Sequence, residues 1–105
     1  MRRYFLLILP LLMLPLPARA GDYTIILQDH RFSPAELTIP ANEKIKLTVK
    51  NLDNAPAEFE SSDLNREKVV DAQGEITVYI GPLDPGRYTY FDDFHRDTTG
   101  TIFAR

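Results

Sequence analysis

Arg87-Tyr88-Thr89-Tyr90-Phe91-Asp92-Asp93-Phe94-His95-Arg96-Asp97-Thr98-Thr99-Gly100-Thr101-Ile102 decides the fold. Arg87 to Phe91 has the aromatic and β-branched content of a strand. Asp92 to His95 forms an acidic loop with one imidazole, and Thr101 to Ala104 closes the hairpin as a second strand. Upstream, the Pro/Gly corner Gly81 to Gly86 separates this hairpin from Glu75-Ile76-Thr77-Val78-Tyr79-Ile80, which alternates polar and apolar. Lys44-Ile45-Lys46-Leu47-Thr48-Val49-Lys50 alternates more strictly, so Ile45, Leu47 and Val49 face a core and the lysines face water. Tyr23 to Gln28, Glu36 to Ile39 and Ala57 to Ser61 read as further short strands, and Val69-Val70 as the start of an edge strand. Asp63 to Lys68 is charged and suits a helical turn with Asp63 as N-cap, Arg66-Glu67-Lys68 lying in solvent. Seven or eight strands at this spacing predict an all-β, antiparallel Greek-key sandwich. Tyr23, Phe32, Phe59, Tyr79, Tyr88, Tyr90 and Phe103 are expected in its core.

Residues 1–20 read as a secretory leader, with Arg2 and Arg3 ahead of an apolar run from Tyr4 to Leu16. Ala18-Arg19-Ala20 fits a small-x-small processing site, which places the cut before Gly21 and leaves residues 21–105 as one small domain. Export to the periplasm follows, with no membrane insertion after cleavage. Loss of Arg2, Arg3 and Arg19 reduces the 12 basic residues to nine against 15 acidic ones, a balance of −6. Such a surface does not suit nucleic acid or anionic lipid. The chain has no cysteine, and both methionines, Met1 and Met13, fall in the leader. An exported domain this small therefore lacks disulfides and soft sulfur ligands alike.

Three segments in order carry a family resemblance. Phe32-Ser33-Pro34-Ala35-Glu36-Leu37-Thr38-Ile39-Pro40-Ala41 resembles the F-x-P-x-x-L-x-V-P-A-G opening of small bacterial cupredoxins. Asn51-Leu52-Asp53 resembles the N-x-D that leads to their first copper histidine, and Pro85-Gly86-Arg87-Tyr88-Thr89-Tyr90 their P-G-x-Y-x-F strand. Placed on the family's Y-x-C-x-x-H loop, Asp92 stands at the cysteine, His95 at the histidine and Thr98 at the methionine. A type 1 copper site needs a thiolate, so the resemblance implies a cupredoxin frame without blue copper.

Glu58, Glu60, Asp92, Asp93 and His95 remain as metal-ligand candidates. Glu58 and Glu60 share one face of a strand while Phe59 faces the core, and a cupredoxin frame would bring them to the Asp92–His95 loop. Acidic loop residues are ordinarily solvated; it is the resemblance that raises these to candidates. Carboxylates with one histidine suit iron or manganese and accept Cu(II) in a tetragonal site. His30 is a secondary candidate. Glu58-Phe59-Glu60-Ser61, Ile80-Gly81-Pro82-Leu83 and Phe91-Asp92-Asp93-Phe94-His95 resemble a cysteine-free subgroup related to the cupredoxin domain of EfeO-type iron-uptake proteins. That resemblance implies iron or copper as the bound ion. It also implies a periplasmic iron-binding protein and an inner-membrane iron permease as partners. Oxidation of Fe(II) would require bound copper or another electron acceptor, so the resemblance implies an accessory binding role before a catalytic one. The other class open to such a chain is a metal-free adaptor that docks on a periplasmic or membrane partner. No nucleophilic triad, phosphate loop or zinc-ligand spacing occurs, which sets hydrolytic and nucleotide enzymes aside.

Overall fold

Ile45, Leu47 and Val49 are each at most 1% exposed, and the lysines between and beside them face solvent. This alternation builds β4 (Ile45–Asn51) in a computed structural model that describes residues 21–105. The leader read over residues 1–20 lies outside the described residues. Before β4 come β1 (Asp22–Gln28), β2 (Arg31–Ser33) and β3 (Glu36–Ile39). After it come β5 (Ala57–Ser61), β6 (Arg66–Val70), β7 (Glu75–Ile80), β8 (Gly86–Asp92) and β9 (His95–Ala104). The order β2-β1-β4-β7 makes one sheet, and β3-β9-β8-β5-β6 makes the other.

The sandwich is the all-β fold expected, with three differences. The described residues hold nine strands, because Arg31–Ser33 folds back on β1 as a short extra strand. Two pairs, β1 with β4 and β3 with β9, run parallel rather than antiparallel. In each pair the chain crosses to the other sheet before returning, so no tight hairpin joins the partners. The helical turn expected over Asp63–Lys68 does not form. Leu64 is buried and its amide donates to Ser61 Oγ at 3.0 Å, which closes a turn over 62–65. Arg66–Val70 then pairs in full register with β5.

The two inner faces meet in an aliphatic core of Ile25, Leu27, Ile39, Ile45, Leu47, Val49, Val78, Ile80 and Ile102. Each fully buried side chain of this kind contributes roughly 1.5–3 kcal/mol, which a chain without disulfides depends on. Phe32 and Phe59 bracket Tyr90, with ring centroids 4.9 and 5.1 Å from it. Gly100, opposite Tyr90 in the β8–β9 ladder, leaves room for that ring, since a Cβ there would overlap the Tyr90 ring and hydroxyl. Of the other aromatics placed in the core, Tyr23 and Tyr88 pack at its margin and Phe103 is half-buried. Tyr79 is 56% exposed: Val78 and Ile80 take the inward positions of β7, so the residue between them must face out.

β6 and β7 are edge strands of their two sheets. Arg66 links them, its Nε and Nη2 donating to the Tyr79 carbonyl at 3.0 and 2.8 Å. Its Nη1 donates to the carbonyl of Asn65 at 2.9 Å.

Candidate metal centre

β5 lies between β6 and β8, with Phe59 opposite Asp92, Glu60 opposite Phe91 and the Asp93 amide donating to the Glu58 carbonyl at 2.9 Å. The side-chain period of two then sorts this region by face. Phe59 and Asp92 point inward and are each 1% exposed. Glu58, Glu60 and Asp93 point outward and are half-buried. One carboxylate oxygen from each of these three lies within 4.8 Å of the other two.

Glu67 of β6 stands directly opposite Glu60 and adds a fourth negative charge to this face. Glu58 is pushed up to about 7 by desolvation, by hydrogen-bond contact with Glu67 and Asp93, and by their charges. Desolvation and the charges of Glu67 and Asp93 raise Glu60 as well, while Arg96 opposes them. Arg96 Nη2 lies 2.6 Å from Asp93 Oδ1, in an ion pair without hydrogen-bond alignment, and its guanidinium also covers the Phe91 ring. The face is a set of like charges only partly neutralised by one arginine. A divalent cation would neutralise it further and displace the proton that Glu58 carries near neutrality.

Asp92 behaves differently from its neighbour. Its Oδ1 accepts the amides of Glu58 and Phe94, both at 2.9 Å, so the side chain ties the loop to β5. Its Oδ2 lies 3.4 Å from Nδ1 of His95. The His95 ring packs on His30 with centroids 4.2 Å apart and planes tilted by 37°.

The Asn51-Leu52-Asp53 motif organises this end of the sandwich. Asn51 is fully buried; its Nδ2 donates to the Ala55 carbonyl at 2.8 Å and the Asp71 carbonyl at 3.2 Å. Its Oδ1 accepts the Asp53 amide at 3.0 Å. Asp53 in turn accepts the amides of Asp29 and His30 at 2.6 and 3.0 Å. Partial desolvation raises the Asp53 carboxyl, but those amides and the two imidazoles outweigh it and hold the group below its usual value.

The five expected ligands therefore do not converge on one point. Glu58, Glu60 and Asp93 come together on the outer face, whereas Asp92 is an interior acceptor and His95 sits at the sandwich end beside His30. Sequence reasoning missed Glu67, because the helix read over Asp63–Lys68 hid its cross-strand partner. It ranked His30 second because nothing local shows that ring meeting one 65 positions away.

A cysteine-free β-sandwich with acidic and imidazole side chains around the β8–β9 loop defines the class. A model of the cupredoxin-like domain matches residues 4–104, and the chain belongs to that family. An uncharacterized protein of Rickettsia prowazekii (strain Madrid E) is 45% identical over 77 residues, covering 73% of this chain and 62% of the relative. The chain thus spans less than two thirds of that relative's length. Among solved structures, a purple cupredoxin from Nitrosopumilus maritimus superposes with a TM-score of 0.64 at 21% identity, over 80% of this chain and 100% of that one. Auracyanin from Roseiflexus castenholzii gives 0.67 at 14% identity, over 84% and 99%. Amicyanin from Paracoccus versutus gives 0.66 at 16% identity, over 87% and 86%.

A type 1 copper centre does not fit these residues. The chain supplies no thiolate, and the side chain at that loop position, Asp92, already spends one oxygen on two backbone amides. Without a copper–thiolate bond, blue-copper electron transfer is excluded.

Proposed function

We propose that the chain is a periplasmic metal-handling protein that holds a divalent cation, Fe(II) first, on Glu58, Glu60 and Asp93. We further propose that it serves as an accessory component of bacterial ferrous-iron uptake. In that role it would pass the ion to a periplasmic iron-binding protein or an inner-membrane permease. The observation that carries this reading is the meeting of three carboxylate oxygens, from β5 and the loop after β8, within 4.8 Å. All-oxygen donor sets suit hard and borderline divalent cations rather than soft copper(I). The raised Glu58 gives binding and release a proton coupling near neutral pH. The leader pattern of residues 1–20 supports export. The fold also carries metal in amicyanin, one structure of which is of a Cu(I) form. The iron-uptake role rests on the resemblance of the Glu58–Ser61 and Phe91–His95 segments to the cysteine-free subgroup.

Anaerobic calorimetry with Fe(II), Mn(II), Zn(II) and Cu(II) tests the site, with Glu58→Gln/Asp93→Asn alongside. One Fe(II) or Mn(II) per chain, weakened at least about tenfold in the double variant, is expected. Equal Fe(II) binding by both proteins would remove these carboxylates from the function. Binding by neither would favour the adaptor reading, in which the acidic face and exposed Val69 of β6 meet a basic protein partner.

A further inference from the structure

Arg96 reaches the acidic face from an irregular part of the β8–β9 ladder. His95 is opposite Asp92, yet the next residue back along β8, Phe91, is opposite Thr99. Residues 96–98 therefore bulge out of the pairing, and a bulge re-aims the side chains it carries. Thr98 anchors the end of the bulge, buried and donating through Oγ1 to the His30 carbonyl at 2.7 Å. Arg96, at its start, is 74% exposed and turns back to Asp93, with Nη2 2.6 Å from Oδ1.

That contact stands out in this chain. Residues 21–105 hold nine of the 12 basic residues and 15 acidic ones. Among the described residues, this is the one ion pair that joins an arginine or lysine to a carboxylate. The carboxylate it joins is one of the three whose oxygens meet within 4.8 Å. Asp93 Oδ1 is shielded from solvent and has no hydrogen-bond partner, so the guanidinium beside it is what offsets its charge. The charge of Arg96 also reaches Glu60, where it opposes the like charges of Glu67 and Asp93.

Two physical facts make this arginine displaceable. An ion pair with one partner so exposed is weak, because solvent screens it and holding a long side chain in one geometry costs entropy. The guanidinium also has a second contact, the face of Phe91, with Cζ 5.5 Å from the ring centroid. Phe91 is opposite Glu60 in the β5–β8 pairing, so its ring borders the carboxylates. A guanidinium that left Asp93 would still have that ring to rest on.

We infer that Arg96 is a resident counter-cation of the carboxylate site: it holds Asp93 when no ion is bound, gives way to an arriving divalent cation and returns as that cation leaves. This role rests on the carboxylate site proposed above and adds its regulation. A positive charge beside a site for a divalent ion lowers affinity and hastens release. A site without such a competitor would retain its ion; one with it exchanges the ion, which suits handover to a partner. The competition also limits coordination, because Asp93 can offer both oxygens to an ion only after the guanidinium has moved off Oδ1.

The experiment is Mn(II) titration of the purified protein, read by electron paramagnetic resonance of the free ion, with stopped-flow release into excess chelator. Arg96→Gln removes the charge and keeps a polar side chain. It should tighten Mn(II) binding by about five- to tenfold and slow release by a similar factor. Arg87→Gln is the control for net charge. Arg87 lies four residues from Phe91 along β8, about 13 Å away and beyond the screening length of physiological salt. Its loss should change affinity by less than about twofold. Equal affinity in wild type and Arg96→Gln, with binding lost in Glu58→Gln/Asp93→Asn, would overturn the competitor and leave the carboxylate site standing. Weaker binding in Arg96→Gln would also overturn it, since the arginine would then be supporting the site. An equal gain in Arg87→Gln would do the same. Binding by neither wild type nor Arg96→Gln would remove the carboxylate site and its competitor together.

Discussion

Asp92 Oδ1 accepts the amide hydrogen of Glu58 at 2.9 Å, joining positions 34 residues apart at the point where β5 meets the loop after β8. The same oxygen holds Phe94, so one interior carboxylate sets the loop's height above the sheet. Asp92→Ala leaves two amides without an acceptor in a site that is 1% exposed and should cost about 2–4 kcal/mol. Asp92→Asn keeps an acceptor oxygen and should cost about 1 kcal/mol. Urea denaturation midpoints check both; a loss below about 0.5 kcal/mol for the alanine variant would contradict the interior role.

Asn51 is another buried polar anchor. It donates to the carbonyls of Ala55, Val70 and Asp71, and it accepts from the Asp53 amide. Asn51→Ala should cost about 3 kcal/mol and release the turn that carries His30. The His30 ring resonances should therefore shift in the NMR spectrum of a folded Asn51 variant, although the two side chains do not touch. An unmoved His30 spectrum would mean that the turn is held by other contacts.

Tyr90 and Gly100 give a packing test with opposite signs. A methyl group at Gly100 overlaps the Tyr90 ring, so Gly100→Ala should destabilise by about 1–3 kcal/mol. The Tyr90 hydroxyl is buried and has no hydrogen-bond partner among the described residues. Tyr90→Phe removes that unsatisfied group and should be neutral or stabilising, by up to about 1 kcal/mol. Thermal unfolding of the two variants decides it, and a strongly destabilised Tyr90→Phe would reveal a partner for the hydroxyl.

Glu58 makes the metal-free protein sensitive to pH. Its folded value is raised from 4.5 to about 7, so the native state binds more protons than the unfolded chain between those limits. The sign follows: stability falls as pH rises through that window, and Glu60 acts in the same direction. With chelator present, the melting temperature should fall between about pH 5 and about pH 7.5, and Glu58→Gln should flatten the profile. A wild-type profile already flat over this range would show that the four carboxylates are not coupled.

The strands were legible because alternation is a local signal. Ile45, Leu47 and Val49 declare their face within five residues, and the same rule put Glu58 and Glu60 together. Asp92 and Asp93 show where that rule stops. They are chemically identical neighbours, and only the pairing of Phe59 with Asp92 decides which one turns inward. A one-residue change of register would exchange their roles. Glu67 and His30 were harder still. Glu67 joins the acidic face only once β6 is known to pair with β5, and His30 meets His95 only through a turn that Asp53 holds from 23 positions away. Local propensity carries no record of such contacts.

Arg66 has a consequence for solubility. β6 and β7 leave two strand edges on one flank of the molecule, with Val69 and Tyr79 exposed beside them. Open edges invite pairing with another chain, and natural sheets protect them with charge. Here a single guanidinium occupies the Tyr79 carbonyl on one edge while standing on the other. Arg66→Ala should therefore leave the fold intact yet turn a dispersed protein into one that associates with rising concentration, visible by light scattering before any loss of secondary structure.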